Sequence, residues 1–130
     1  MALNYFWKLA YICYPSIRDF LLFTRIMKHS GRQNFLIGIL KSGIDKEDFK
    51  KFLEKKGFER SILSWIDDDE VLCMRKRMGK KYQYHIRLFC DNEIRGHYEY
   101  APECKPLDHL NAVSQQKKSN YFKTLLSSMV

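Results

Sequence analysis

The sequence lacks the short motifs that identify metal sites, nucleotide-binding loops and disulfide frameworks in small proteins. Its four cysteines, Cys13, Cys73, Cys90 and Cys104, are widely spaced and form no C-x-x-C pair, so neither a zinc ribbon nor a thioredoxin-type site is supported. No phosphate-binding glycine loop, nucleophile elbow or H-E-x-x-H motif occurs. We therefore expect free thiols, a cytoplasmic location and no cofactor.

A long uninterrupted apolar run is also missing. Residues 1–23 are rich in apolar side chains, but Lys8, Pro15, Arg18 and Asp19 interrupt them, whereas a spanning helix needs ~20 nearly continuous apolar residues. The segment does not begin with the basic residues of a secretory signal. We expect no integral membrane association, with peripheral membrane contact left open. The aromatic residues are expected to cover a core or to form a homo-oligomer: Tyr5, Phe6, Trp7, Tyr11 and Tyr14.

The composition predicts a folded, basic protein. Of its 130 residues, 45% are hydrophobic and 15% aromatic, which is enough to bury a core without disulfides or metal. There are 23 Lys and Arg against 15 Asp and Glu, giving a formal charge of +8. A domain this basic is expected to associate with a polyanion such as nucleic acid, an anionic membrane or an acidic protein.

The apolar periodicity changes along the chain and predicts an α+β fold. Helical patterns cover residues 3–13, 16–28 and 32–40, and a fourth helix is capped by Asp45 and ended by Gly57. Strand patterns follow at residues 61–66, 71–77, 82–89 and 94–100, joined by short turns that make neighbouring strands antiparallel. The expected fold is three or four N-terminal helices packed on a four-stranded antiparallel β-meander.

The expected domain organisation is a single α+β domain over residues 1–110. Its helical part spans about residues 1–58 and its meander about residues 61–101. Residues 111–130 form a polar C-terminal segment, with a short docked helix expected at residues 121–126.

The register of the last hairpin decides which side chains share a face. A three-residue loop at residues 90–92 pairs Phe89 with Glu93 and separates apolar from polar side chains, whereas a two-residue loop mixes them. In the adopted register His85 lies opposite His97. Arg87 likewise faces Arg95, and Gln83 faces Glu99, with Cβ atoms of each pair about 5 Å apart. Arg75 joins this polar face if the preceding loop is also odd-numbered.

This polar face carries the residue types needed for phosphate chemistry. Histidine titrates near neutral pH and can exchange protons with a carboxylate partner, and arginine stabilises charge on a phosphoryl group. His97 with Glu99 is the candidate base and His85 the candidate acid. The expected phosphate-binding residues are Arg75, Arg87, Arg95 and Gln83. The set resembles, in residue type and layout, the sites of small microbial ribonucleases and ribonuclease toxins.

Two functional hypotheses follow. The first is a nucleic-acid-binding protein, with RNA favoured, that cleaves RNA as a metal-independent endoribonuclease through His85, His97 and Glu99. The second is a non-enzymatic regulatory or interaction protein that binds an acidic partner through its basic surface and self-associates through its aromatic N-terminus. A 2-His-1-carboxylate metal site is an alternative use of the same residues. The flanking arginines argue against a cation, so no metal is expected.

Overall fold

The computed structural model describes residues 2–26, 35–61, 69–101 and 119–130. In chain order the elements are α1 (Ala2–Phe23), β1 (Phe35–Ile39), α2 (Lys46–Lys55), β2 (Glu59–Arg60), β3 (Glu70–Met78), β4 (Tyr82–Phe89), β5 (Glu93–Tyr100) and α3 (Ser119–Leu125). The strands form one antiparallel sheet in the order β1-β5-β4-β3-β2. The α+β class and the antiparallel sheet are confirmed. The predicted four-stranded meander under three or four N-terminal helices is wrong.

The N-terminal segment is one helix rather than two. Helix α1 runs through Pro15, although proline removes one backbone hydrogen bond and ordinarily costs ~3 kcal/mol inside a helix. The side chains that face the sheet keep their helical spacing on both sides of this position, as Tyr11 and Arg18 show. The predicted break at Pro15 therefore does not occur.

The predicted helix over residues 32–40 is also wrong in its described part, because Phe35–Ile39 forms strand β1. This strand pairs with β5, Phe35 lying opposite Gly96 and Gly38 opposite Ile94, with a register shift between Leu36 and Gly38. A short, fully apolar run fits a buried strand and a buried helix equally well. This run forms a strand because it pairs with β5.

Helix α2 has the predicted boundaries. Asp45 is its N-cap, and its carboxylate accepts a 2.8 Å hydrogen bond from the backbone N–H of Asp48. Gly57 has a φ of 90°, a left-handed conformation that favours glycine. The N–H of Phe58 then donates to the carbonyl of Leu53 at 3.0 Å, and Phe58 is buried in the core. The left-handed Gly57 and the folded-back Phe58 are both confirmed.

The hydrophobic core lies between one face of the sheet and helices α2 and α3. Met74, Ile86 and Ile94 belong to the core cluster on the sheet side. Phe49 and Leu53 of α2 pack against them, together with Phe122 and Leu126 at the C-terminal end. Tyr84 stacks on Tyr121 with ring centroids 4.1 Å apart.

Several sequence predictions fall wholly or partly outside the described residues. The predicted strand over residues 61–66 is one, since residues 62–68 are not described. The division of the chain at residue 110 is another and stays a prediction. Within the described ranges, no helix combines the length and the apolar character needed to cross a membrane.

Gly96 allows β5 to lie against its neighbours. A Cβ atom at this position would stand 2.7 Å from the carbonyl oxygen of His85 and 2.9 Å from Cδ1 of Ile37. We expect Gly96→Ala to lower the free energy of unfolding by about 1–3 kcal/mol, because a methyl group must be forced into a filled space. Urea unfolding followed by circular dichroism measures this loss.

The matched control is Gly79→Ala. Gly79, unlike Gly96, has a positive φ, and no atom lies within 4 Å of its added Cβ, so its substitution measures backbone strain of about 1 kcal/mol without any steric clash. A Gly96→Ala variant as stable as the wild type would contradict this packing.

Candidate functional site

The hairpin of β4 and β5 brings the predicted polar residues together in the predicted register. His85 pairs with His97, Arg87 with Arg95 and Gln83 with Glu99. Strand β3 joins through a three-residue loop, which places Arg75 opposite His85. All seven side chains therefore share one face of the sheet, as predicted, and most apolar residues of the same strands, such as Ile86 and Ile94, occupy the other.

This polar face is buried. The side chains of Gln83, His85, Arg87, His97 and Glu99 belong to residues that are between 1% and 7% exposed. From the sequence, the histidine face is predicted to point away from the helices, because the tyrosine and aliphatic face covers the helical core. That prediction is wrong for α1, because Tyr11 hydrogen-bonds Arg75 and lies beneath its guanidinium.

Each arginine of the polar face is in contact with a carboxylate. Nε of Arg75 lies 3.1 Å from Glu59, and Nη1 of Arg87 lies 3.1 Å from Oε2 of Glu70. Arg95 pairs with Glu93 two residues earlier on β5. These carboxylates offset the repulsion between the directly opposed Arg87 and Arg95 without a bound anion. The assignment of phosphate contacts to these arginines stays a prediction.

Glu99 is the centre of the site. Its Oε1 accepts a 2.8 Å hydrogen bond from Nε2 of Gln83 and lies 3.0 Å from Nδ1 of His85. Its Oε2 lies 2.9 Å from Nε2 of His97. The two imidazole rings are almost perpendicular, with centroids 5.0 Å apart. Gln83 is held in turn by Arg75, whose Nη1 donates to Oε1 of Gln83 at 3.3 Å.

Burial and the contacts between its side chains together set the protonation states of this cluster. Burial lowers the pKa of His85 to about 4, which the contact with Glu99 only partly opposes. Burial raises the pKa of Glu99, but the contacts with His85 and His97 outweigh it and hold that pKa well below its usual range. At neutral pH the site therefore contains an ionised carboxylate and a neutral His85.

Ser61 belongs to the site although the sequence analysis missed it. Its Oγ lies 3.1 Å from Nε2 of His85. Ser61 also borders a cavity of about 370 Å³ between α1, α2 and β3, whose walls include Arg18, Lys50 and Glu70. A serine 24 residues from its histidine carries no local sequence signal, so only the fold reveals this contact.

The chain Ser61–His85–Glu99 has the order of groups found in a nucleophilic relay. In such a relay, the N–H at Nδ1 must donate along its own axis to the carboxylate. Nδ1 of His85, although 3.0 Å from Glu99, makes no hydrogen bond. The oxygen therefore lies off the ring axis, and the geometry does not match a serine nucleophile activated through His85.

Comparison with known proteins found no similarity from which a function could be carried over. No protein-family model, no curated protein and no solved structure matches the chain. A function can therefore be inferred only from the chain's own surfaces and from this buried cluster.

The pairing of Arg87 with Glu70 predicts an unequal effect of two neighbouring substitutions. Arg87→Met removes the cation contacting Glu70, whose side chain is only 2% exposed. Losing one partner of a buried ion pair costs about 3–5 kcal/mol. Arg95→Met is the comparison, because the Arg95 and Glu93 side chains are 21% and 16% exposed, so water can partly replace the lost contact and the cost should be smaller.

Chemical denaturation of the two variants tests this difference. Adding Glu70→Gln to Arg87→Met should recover part of the loss, because the buried carboxylate that Arg87 contacts is then neutral. Equal destabilisation by Arg87→Met and Arg95→Met would show that the Arg87–Glu70 contact has no special role.

Proposed function

We propose that this protein is a non-enzymatic interaction protein that self-associates through helix α1 and binds an acidic protein partner through its basic surface. The observation that carries the proposal is an apolar stripe on α1 that faces solvent. The stripe consists of Tyr5, Leu9, Ile12, Phe20 and Phe23, flanked by Phe6 and Ile17, and all seven residues are more than half exposed.

The stripe lies on the side of α1 that faces away from the sheet. Its successive residues are four, three, eight and three positions apart, so they follow one line along the helix, which the exposed Ser16 interrupts between Ile12 and Phe20.

Arg18 and Tyr11 are on the opposite side of α1, where Arg18 is buried and Tyr11 contacts Arg75 of the sheet. The inner side of α1 is mixed, with the buried Arg18 among half-buried aromatic and aliphatic side chains such as Trp7 and Tyr14, while the stripe faces outward.

The size of the stripe fits a protein interface. If each of the seven side chains offers on the order of 100 Å², the stripe presents roughly 700 Å² of apolar surface. That approaches the ~800 Å² that each partner buries in a standard interface, and the largest apolar patch of a monomer is typically ~300–600 Å².

A second copy of the chain is the occupant that this surface fits best. Spacing of three and four residues is the pattern by which two helices pack knobs into holes. A helix that lies on a membrane surface instead has many lysines and arginines on its polar side. Helix α1 has only Lys8 and Arg18 as cations, and Arg18 is buried against the protein.

A charge placed in the stripe should abolish self-association. Ile12 is 75% exposed, so Ile12→Asp should leave the fold intact. It should weaken the dimer at least tenfold, because the interface would then bury a carboxylate in place of an aliphatic side chain. Sedimentation equilibrium measures the dissociation constant. Thr124→Asp on α3 adds the same charge at another exposed position and should dissociate like the wild type.

Two results would contradict this assignment. One is a wild-type protein that stays monomeric at ~100 µM, and the other is an Ile12→Asp variant that assembles like the wild type. A monomer that binds lipid vesicles through the stripe would assign this face to a membrane instead.

The basic surface extends from α2 across β2 to the turn between β3 and β4. It is defined by the exposed residues Lys46, Lys51, Lys55, Lys56, Arg60, Arg77, Lys80 and Lys81. Lys76 ties its parts together, since its Nζ donates to the backbone carbonyl of Lys56 at 2.9 Å. Because the arginines of the buried face contact carboxylates, these outer lysines and arginines are the charges available to a partner.

Nucleic acid is the second candidate for this surface, favoured by the formal charge of +8. Lys51→Glu/Lys55→Glu reverses two adjacent cations on the exposed side of α2. We expect it to weaken binding of an acidic peptide at least tenfold at low salt. Fluorescence anisotropy at 50 and 200 mM salt measures this loss, with Lys123→Glu on α3 as the matched control.

A single-stranded RNA measured alongside the acidic peptide separates the two candidates. Tighter binding of RNA, with a log–log salt slope near −3 for about four phosphates, would favour nucleic acid. Unchanged binding of both ligands by the α2 variant would remove α2 from the footprint. RNA cleavage by His85, His97 and Glu99 stays a prediction, and gel analysis of the same RNA after incubation tests it.

A further inference from the structure

The buried cluster has the composition of a metal site, and its use is independent of the proposed interaction surfaces. His85, His97 and Glu99 each offer a ligand atom, and these atoms all lie within 4.8 Å of one another. We infer that these three residues bind a divalent transition-metal ion, with zinc as the best-fitting class. Two imidazoles and one carboxylate are the donors that such ions prefer.

The distances around Glu99 agree with ligands that share one ion. Donors about 2.1 Å from a metal are about 3.0 Å apart at a right angle and about 3.4 Å apart at a tetrahedral angle. Nδ1 of His85 is 3.0 Å from Oε1 of Glu99, and Nε2 of His97 is 2.9 Å from Oε2. The ligand atoms of the whole set lie within 4.8 Å of one another, so binding one ion requires those farthest apart to move closer and those around Glu99 to separate slightly.

The direction of the His85 contact gives an independent reason. Nδ1 of this buried ring has no hydrogen-bond partner despite its close approach to the carboxylate. When an imidazole and a carboxylate bind the same ion, the metal lies on the axis of the nitrogen lone pair. The carboxylate oxygen then lies to one side of that axis. A ring nitrogen in this position can donate its lone pair to a metal ion.

The charges around the cluster also permit a cation. From the sequence, no metal is expected because three arginines flank the site, but these arginines are paired with carboxylates. Arg75, Arg87 and Arg95 are in contact with Glu59, Glu70 and Glu93, respectively. Adding Glu99 makes four carboxylates for three guanidinium groups, so the group carries about one negative charge when its histidines are neutral.

Two of the three ligands have supporting groups behind them, whereas Nδ1 of His97 makes no hydrogen bond. Gln83 donates to Oε1 of Glu99, and the hydroxyl of Ser61 lies against Nε2 of His85. Metal-binding histidines usually donate their other ring N–H to such a partner, and ligating carboxylates are hydrogen-bonded in turn. Because β4 and β5 are paired strands, the ligands are held on a rigid support.

The test uses the full-length protein after dialysis against a chelator, with Co²⁺ as a spectroscopic probe. We expect one equivalent of Co²⁺ per chain to give visible d–d absorption, and Zn²⁺ to remove that absorption by displacement. Zn²⁺ should also raise the temperature of thermal unfolding, because a ligand that binds only the folded state stabilises it.

Glu99→Gln is the decisive variant because it keeps the shape of the side chain and removes a charged ligand. It should weaken Co²⁺ binding at least tenfold and abolish the thermal shift, with circular dichroism confirming that the variant folds. Glu54→Gln makes the same change at an exposed position of α2 and should bind as the wild type does. If Glu99→Gln does not fold, His97→Asn replaces it in the same assay.

The double variant His29→Ala/His109→Ala removes the two histidines outside the described residues and should bind Co²⁺ normally. The inference fails if the wild type shows neither the absorption nor the thermal shift. It also fails if Glu99→Gln or His97→Asn binds like the wild type. An intense near-ultraviolet sulfur-to-cobalt band would place the ion at cysteine residues and would overturn the assignment as well.

Discussion

The register between β4 and β5 is the constraint on which the rest of the structure depends. Because side chains alternate across a strand, the pairing of His85 with His97 determines the composition of both faces at once. A shift by one residue would place Ile86 and Ile94 on the side of α1 and the histidines in the core beneath α2 and α3. The polar cluster and the hydrophobic core are therefore two results of a single pairing.

That pairing forces several charges into the interior, and the protein balances them locally. A buried ion is costly unless it is paired and hydrogen-bonded. Arg75, Arg87 and Arg95 contact carboxylates from β2, β3 and β5, and Glu99 is surrounded by histidine and glutamine side chains. Such a network stabilises one arrangement of the strands over its alternatives, because any other register would leave buried charges unpaired.

Sequence reasoning succeeded where local patterns are decisive. The hairpin register followed from the separation of polar and apolar residues, and the ends of α2 followed from Asp45 and Gly57. It failed where contacts between residues far apart in the sequence determine the local structure. Residues 35–39 become a strand only because β5 needs a partner, and α1 continues through Pro15 despite the local cost.

Local sequence patterns likewise predicted some features of the candidate site and not others. The residues of the polar face and their opposed pairs could be read from alternation along two strands. Their burial could not, because an antiparallel sheet commonly has one face in water and nothing in residues 82–100 indicates that α1 approaches the other side. The Ser61 contact was also unpredictable, since it joins β4 to a residue that follows the two-residue strand β2.

The outer strand β1 has a consequence for solubility. An exposed edge strand offers unpaired backbone groups to which strands of other molecules can add. Here the pairing of β1 is interrupted between Leu36 and Gly38, and the N–H of Lys41 donates to the carbonyl of Met129 at 2.7 Å. A Cβ atom built on Gly38 would lie 3.1 Å from Cγ1 of Val130. Residues 129 and 130 thus pack on one face of β1 and just beyond its end, and displacing them would uncover backbone next to the edge at which the sheet could grow into fibrils.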